Sequence, residues 1–183
     1  PTSGGGTRRR RTPRRVTAIN TNYKFAPTYP DKFIVPAAIT DQELWAVGAF
    51  RSKARIPMLQ WQHPRHYATL WRCAQPKAGF GNFSVDDERF VELIRMSTPE
   101  SVRRNSAGQL CKGPKMLLFV DCRPRMSATA NKAKGFGYED VDNRYGGGKC
   151  GIRFMGIENI HTVRDSYNNL QPVDFPQSTC DAS

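Results

Sequence analysis

The 183-residue sequence predicts an α/β fold with a mostly parallel sheet, and three observations carry that expectation. The run MLLFVD (116–121) sets five apolar residues before an aspartate, the composition of a strand buried on both faces. The run IRFMG (152–156) has the same character. Each leads into a helical pattern, PRMSATANKAK (124–134) and IENIHTVRDSYNNL (157–170), giving the strand–helix–strand–helix rhythm of a parallel layer.

Taken in order, the chain opens on PTSGGGTRRRRTPRR, which is Gly-, Pro- and Arg-rich and has no apolar periodicity. Residues 1–22 are read as a basic arm or linker without regular structure. KFIVP (32–36) is a short strand that Pro36 ends. TDQELWAVGAF follows, with Thr40 and Glu43 spaced as a capping box and Leu44, Val47 and Phe50 on one side of the helix. RIPMLQW and YATLWRC flank the turn QHPRH and predict two antiparallel strands. SVDDERFVELIRM has Ser84 as its cap, three acids in its first turn and an apolar stripe of Phe90, Leu93 and Ile94, the pattern of an amphipathic helix. TPESVRRNSAGQLCKGPK is a polar loop. Pro124 starts the Ala-rich helix and Gly135 stops it. Residues 172–183 form an irregular tail, which leaves 23–171 as the folded body.

The formal charge is +12, and six arginines within residues 1–15 account for half of it. The body is moderately basic, which fits anionic partners: nucleic acid, acidic lipid headgroups or phosphorylated small molecules. Five cysteines (Cys73, Cys111, Cys122, Cys150, Cys180) are odd in number and never spaced C-x-x-C, which argues against a disulfide framework and a structural zinc site. Reduced thiols in a cytosolic or nuclear setting are expected. No run of apolar residues is long enough to span a bilayer, so any membrane contact is peripheral.

In parallel layers ligands bind at the carboxyl ends of strands, which draws attention to Asp121-Cys122-Arg123 and to the segment around Asn159. Catalytic sets, however, are missing. A thiolate phosphatase loop needs arginine six residues beyond its cysteine, and those positions hold Gly79, Leu117, Ala128 and Gly156, with the last beyond Ser183. There is no G-x-S-x-G, and the three histidines (His63, His66, His161) have no evident nucleophile beside them. No metal set or cofactor loop is predicted: Lys134-Gly135-x-Gly137 fits neither nucleotide fingerprint. RRVT (14–17) and RRNS (103–106) match a basophilic kinase pattern but are read as surface loops.

Several stretches together resemble the myotubularin family. Phe50-Arg-Ser-Lys-x-Arg-Ile-Pro57 and Arg72-Cys73-x-Gln75-Pro76 are similar to the start of its phosphatase domain. Asp121-x-Arg123-Pro124, Ala130-Asn-Lys-Ala-Lys-Gly135 followed by Gly137-Tyr-Glu139, and Asn159-Ile-His161-x-x-Arg164-x-Ser166 continue the match in order and spacing, over about residues 23–170. The resemblance implies a cysteine-dependent-phosphatase-like mixed sheet flanked by helices, incomplete because the chain ends before the family's Cys-x5-Arg loop. It implies a phosphoinositide 3-phosphatase acting on phosphatidylinositol 3-phosphate and 3,5-bisphosphate, with this chain alone inactive.

Family residues that contact the headgroup carry over onto Asn131, Asn159 and Ile160, and charge adds Lys132 and Lys134 as candidate binders. Partners on this reading are phosphoinositide headgroups at a cytoplasmic, endosomal-type membrane surface, and assemblies with itself or other myotubularins. The alternative is an inactive scaffold of the same family; nucleic-acid binding through the arginine arm is disfavoured. Phe136, where the family commonly has glycine, is the departure that bears on the loop's shape.

Overall fold

The computed structural model describes residues 14–65, 68–97 and 116–170. Its elements in order are β1 (Arg14–Thr17), β2 (Phe33–Pro36), α1 (Asp41–Phe50), β3 (Met58–Gln62), β4 (Thr69–Arg72), α2 (Val85–Met96), β5 (Leu117–Asp121), α3 (Arg125–Ala130), β6 (Cys150–Phe154) and α4 (Ile160–Leu170). The fold is α/β, with the strands paired two by two: β1 with β2 and β3 with β4 antiparallel, β5 with β6 parallel. The expected mostly parallel sheet is therefore confined, among the described residues, to one strand pair. The two parallel strands are joined through α3, since parallel neighbours require a crossover connection rather than a tight hairpin.

Local chemistry accounts for the helices. Thr40 accepts from the Glu43 amide while the Glu43 carboxylate accepts from the Thr40 amide, the reciprocal capping box expected of α1. Ser84 caps α2 through the Asp87 amide. Both helices then bury one face: Leu44 and Val47 of α1 and Phe90 and Ile94 of α2 meet Phe33, Val35, Ile56 and Met58 in one core. A smaller cluster of Val91, Val141, Tyr145 and Cys150 underlies the β5–β6 pair, joined by Leu117, Phe119 and Ile152.

Three expectations need correction. The arm does not extend to residue 22: Arg14–Thr17 pair along the whole of β2, from Arg14 opposite Pro36 to Thr17 opposite Phe33. Their guanidiniums are tied down as well, Arg15 to Asp41 at 2.6 Å and to the Ile39 carbonyl, Arg14 to Gln62 and the Ser97 carbonyl. Residues 1–13, the rest of the arm, lie outside the described residues, as does the tail beyond Leu170. RRVT is accordingly no surface loop: Thr17 is 1% exposed and donates its hydroxyl to Asp41 at 2.9 Å. RRNS lies outside the described residues. Finally, β5 is not buried on both faces. Leu117 and Phe119 face inward, whereas Leu118 and Val120 are more than half exposed.

Candidate functional site

The candidate residues hang from the carboxyl ends of β5 and β6. The strand pairing runs from Leu117 opposite Cys150 to Asp121 opposite Phe154, and it continues past both ends through Met155 N–H to the Asp121 carbonyl (2.9 Å) and Ile157 N–H to the Cys122 carbonyl (2.8 Å). At this end Arg123 forks onto the Asp121 carboxylate (2.9 and 2.6 Å). It also donates to the Gly137 carbonyl at 2.9 Å and to Gln75. One guanidinium thus ties the end of β5 to the loop that follows α3 and to the Gln75-Pro76 stretch. A planar fork is suited to that task where a lysine is not.

From Pro124 the chain turns into α3 and then a tighter turn of helix over Asn131–Lys134. Two hydrogen bonds close this turn at Gly135. Gly135, at φ +82°, donates to the Lys132 carbonyl (3.1 Å) and Phe136 donates to the Asn131 carbonyl (3.0 Å). This pair of bonds around a left-handed glycine is a Schellman cap. Phe136 occupies the position after that glycine, where an apolar side chain normally folds back on the helix, and it is half-buried. The departure from the family's glycine therefore fits the cap.

Asn131 is half-buried and Lys134 exposed on this turn. Lys132 points elsewhere: its Nζ lies over the Tyr138 ring, 4.0 Å from the centroid. Desolvation pushes the Tyr138 phenol up, but hydrogen bonds to Lys132 and Thr129 and the charges of Lys132 and Arg125 outweigh it and hold it below its ordinary value. Lys132 and Tyr138 line a cavity of ≈530 Å³ with Arg125, Asp140, Asn143 and Phe154 among its walls. Asn131, Lys134, Asn159 and Ile160 do not line it. The carboxylates in its wall offset the two cations, so Lys132 is partly a structural residue of this cavity.

Asn159 takes a different job. Its Oδ1 accepts from the His161 and Thr162 amides (2.9 and 3.2 Å), which caps α4. The amide NH2 is the end left to meet a ligand. Ile160 and every other residue of α4 are exposed.

Behind this loop cluster lies a feature that residue patterns did not reveal. Arg51, fully buried, forks onto Asp87 (2.7 and 2.6 Å), donates to the Ala74 carbonyl (3.1 Å) and pairs with Glu139. Tyr145 donates to the same Asp87 at 2.7 Å. Burial alone would lower the guanidinium's pKa, yet the Asp87 and Glu139 charges raise it well above its ordinary value. The network joins the Phe50-Arg-Ser-Lys run, α2 and the Gly-Tyr-Glu loop. Its only trace in the sequence is that an arginine and a glutamate sit inside otherwise apolar or turn-rich motifs.

Among the described residues Cys73, Cys122 and Cys150 are free thiols. Cys73 is exposed as a residue, but its Sγ faces the buried Arg51 Nη1 at 3.5 Å. Desolvation there pushes the thiol up to about 11, against the pull of Arg51. Burial likewise raises Cys150. No group of His, Cys, Asp and Glu among the described residues is placed to hold a metal ion.

The architecture and the loop cluster define an α/β domain that presents amide and lysine side chains beyond the ends of a parallel strand pair. The chain belongs to the myotubularin family: the profile described as the myotubularin-like phosphatase domain matches residues 5–182. Its relatives include a mouse protein named phosphatidylinositol-3,5-bisphosphate 3-phosphatase MTMR2, 40% identical over 163 residues that make up 88% of this chain and 23% of the relative. Myotubularin of Xenopus laevis is 39% identical over 88% of this chain and 24% of its own. A human protein named phosphatidylinositol-3,5-bisphosphate 3-phosphatase MTMR8 is 37% identical over 86% and 20% respectively. The chain thus spans about a quarter of the length of the curated relatives it matches.

Proposed function

We propose that this chain supplies headgroup-binding residues to a phosphoinositide 3-phosphatase of the myotubularin family, working at a cytoplasmic membrane surface. The observation that carries the reading is the Schellman-capped turn. It fixes Asn131 and Lys134 on the loop beyond β5 while Asn159 caps the helix beyond the neighbouring parallel strand. The relatives named as 3,5-bisphosphate 3-phosphatases support the substrate class. On this reading Asn131 donates to inositol hydroxyls or phosphate oxygens, Lys134 contributes an exposed charge, and the Asn159 NH2 approaches the ring from the second loop. Ile160, exposed beside Asn159, offers an apolar edge. Lys132 acts mainly by holding Tyr138 and the loop.

None of the five cysteines has an arginine six residues on, so the chain by itself binds without turning substrate over. The test is titration of the 183-residue protein with water-soluble, short-chain phosphatidylinositol 3-phosphate, alongside a phosphate-release assay. Binding is expected, weakened about tenfold by Asn131→Ala or Asn159→Ala, as loss of a charge-assisted hydrogen bond dictates. Absence of binding, or indifference to both substitutions, refutes the reading. Phosphate release above a protein-free blank refutes the statement on turnover.

A further inference from the structure

We propose that the loop Lys77–Phe83 is a bilayer anchor that inserts the Phe80 ring into the lipid surface next to the headgroup turn. This deepens the proposed function and rests on it for the lipid's identity. Phe80 is 84% exposed and sits at φ +55°, between Gly79 and Gly81. A bulky residue in the left-handed region is strained, and so conspicuous a ring in water gains nothing from the fold. Strain of this kind persists where the surroundings impose it, and here they do. Gly79 donates to the Gly135 carbonyl at 3.3 Å, Asn82 Nδ2 donates to the Lys77 carbonyl at 3.0 Å, and the Lys77 amide is held by the Phe50 carbonyl at 2.8 Å. Gly79 lies so close to the headgroup turn that a Cβ on it would stand 2.4 Å from the Lys132 carbonyl oxygen. The ring is therefore presented rigidly beside Gly135, with its Cε2 3.8 Å from where a Cβ there would be.

Charge selects the occupant. Lys134, exposed on the turn beside the loop, and Lys77, whose ammonium donates to the neutral Ala49 carbonyl at 2.8 Å, form no ion pair among the described residues, whereas Lys132 is turned onto Tyr138. An exposed aromatic ring flanked by the uncancelled charges of Lys77 and Lys134 matches an anionic lipid surface, where the ring enters the interface and the ammonium groups lie near phosphates. Phe83, stacked under Arg144 at 3.7 Å, braces the loop from behind.

Co-sedimentation of the 183-residue protein with phosphatidylcholine vesicles carrying phosphatidylserine, with and without phosphatidylinositol 3-phosphate, tests the anchor. Phe80→Ser is expected to weaken partitioning about tenfold on both vesicle types, from the loss of one buried ring, with Phe80→Leu intermediate. Affinity for the monomeric short-chain lipid is expected to stay unchanged. Phe80→Trp is expected to add a blue-shifted emission component quenched by brominated lipid. Undiminished partitioning of Phe80→Ser, or no added quenching from Phe80→Trp, overturns the anchor and leaves the ring to a protein contact. The headgroup reading fails separately, through Asn131→Ala and the short-chain lipid, while the Phe80 effect on phosphatidylserine vesicles stands.

Discussion

Arg51 shows how much of this molecule turns on single buried charges. Its guanidinium carries one positive charge against the carboxylates of Asp87 and Glu139, all within the interior. Arg51→Ala would strand two buried carboxylates and the Ala74 carbonyl, a loss of about 3–5 kcal/mol typical of breaking such a pair from one side. Arg51→Lys is expected to recover little of it, because an ammonium cannot reproduce the fork on Asp87. Chemical denaturation midpoints check both, and a Lys variant as stable as the parent would show that the fork is dispensable. Burial pushes the Cys73 thiol, next to the same guanidinium, up to about 11, so it stays protonated at neutral pH. Peptide mapping after iodoacetamide treatment at pH 8 should find it alkylated more slowly in the folded than in the unfolded protein. Equal rates would mean that the sulfur does not face inward. The sequence could exclude a Cys-x5-Arg loop by counting, but not Arg51's role, since Asp87 and Glu139 are 36 and 88 residues away from it.

At the scale of elements, what was legible depended on how local the cause was. The capping box of α1 and the Ser84 cap of α2 involve residues three apart, and both appear as read. Strand β1 was hidden because its two arginines looked like solvated charge, whereas their stems follow the strand and their heads find Asp41, Ile39, Gln62 and Ser97 far along the chain. Arginine deletions intended to test the arm must therefore stop before Arg14, or they remove a strand. The α1 cap gives a pH prediction. The Thr40 backbone amide is the main reason that Glu43 is held down to about 2, with the Thr40 hydroxyl and Arg89 helping. A depressed carboxylate stabilises fully above its ordinary range and loses that contribution as pH falls through 2. Thr40→Ala is expected to cost about 1 kcal/mol at neutral pH, with the difference from the parent shrinking in acid. Because the substitution leaves the backbone amide in place, a pH-independent difference would exclude only the hydroxyl's share in holding the carboxylate ionised. The loop elements give a sharper contrast. Gly79→Ala drives a methyl into the Lys132 carbonyl and the Gly135 backbone, whereas Gly81→Ala meets nothing within 4 Å and suffers only its φ of +75°. Gly81→Ala should cost about 1–2 kcal/mol. Gly79→Ala should cost more and also displace the Asn131–Lys134 turn, visible as amide shifts confined to that turn in an NMR spectrum. Shifts of equal extent in both variants would contradict the packing.

For the whole molecule, burial is lopsided. The first two strand pairs and α1 and α2 enclose a common core, whereas β5 exposes Leu118 and Val120 and α4 buries nothing. Ile160, Val163, Tyr167 and Leu170 recur along one side of α4, and all four are exposed. The sequence reads as helical over 157–170 without marking this stripe, and a helical pattern says nothing of what a face packs against. Physics then orders the elements by stability. An 11-residue helix with no buried side chain has only its own hydrogen bonds and the Asn159 cap, and helices of that length are marginal in water. By contrast α2, of 12 residues, is pinned by Phe90, Val91 and Ile94, each 5% exposed or less. Native-state hydrogen exchange of the 183-residue protein should therefore find α4 amides opening through local fraying, with protection at least about tenfold below that of α2, whose amides require wider unfolding to exchange. Asn159→Ala should lower α4 protection further and leave α2 unchanged, because the cap holds two of the free amides at the start of this helix. If α4 exchanges as slowly as α2, its apolar stripe is buried in solution against another surface.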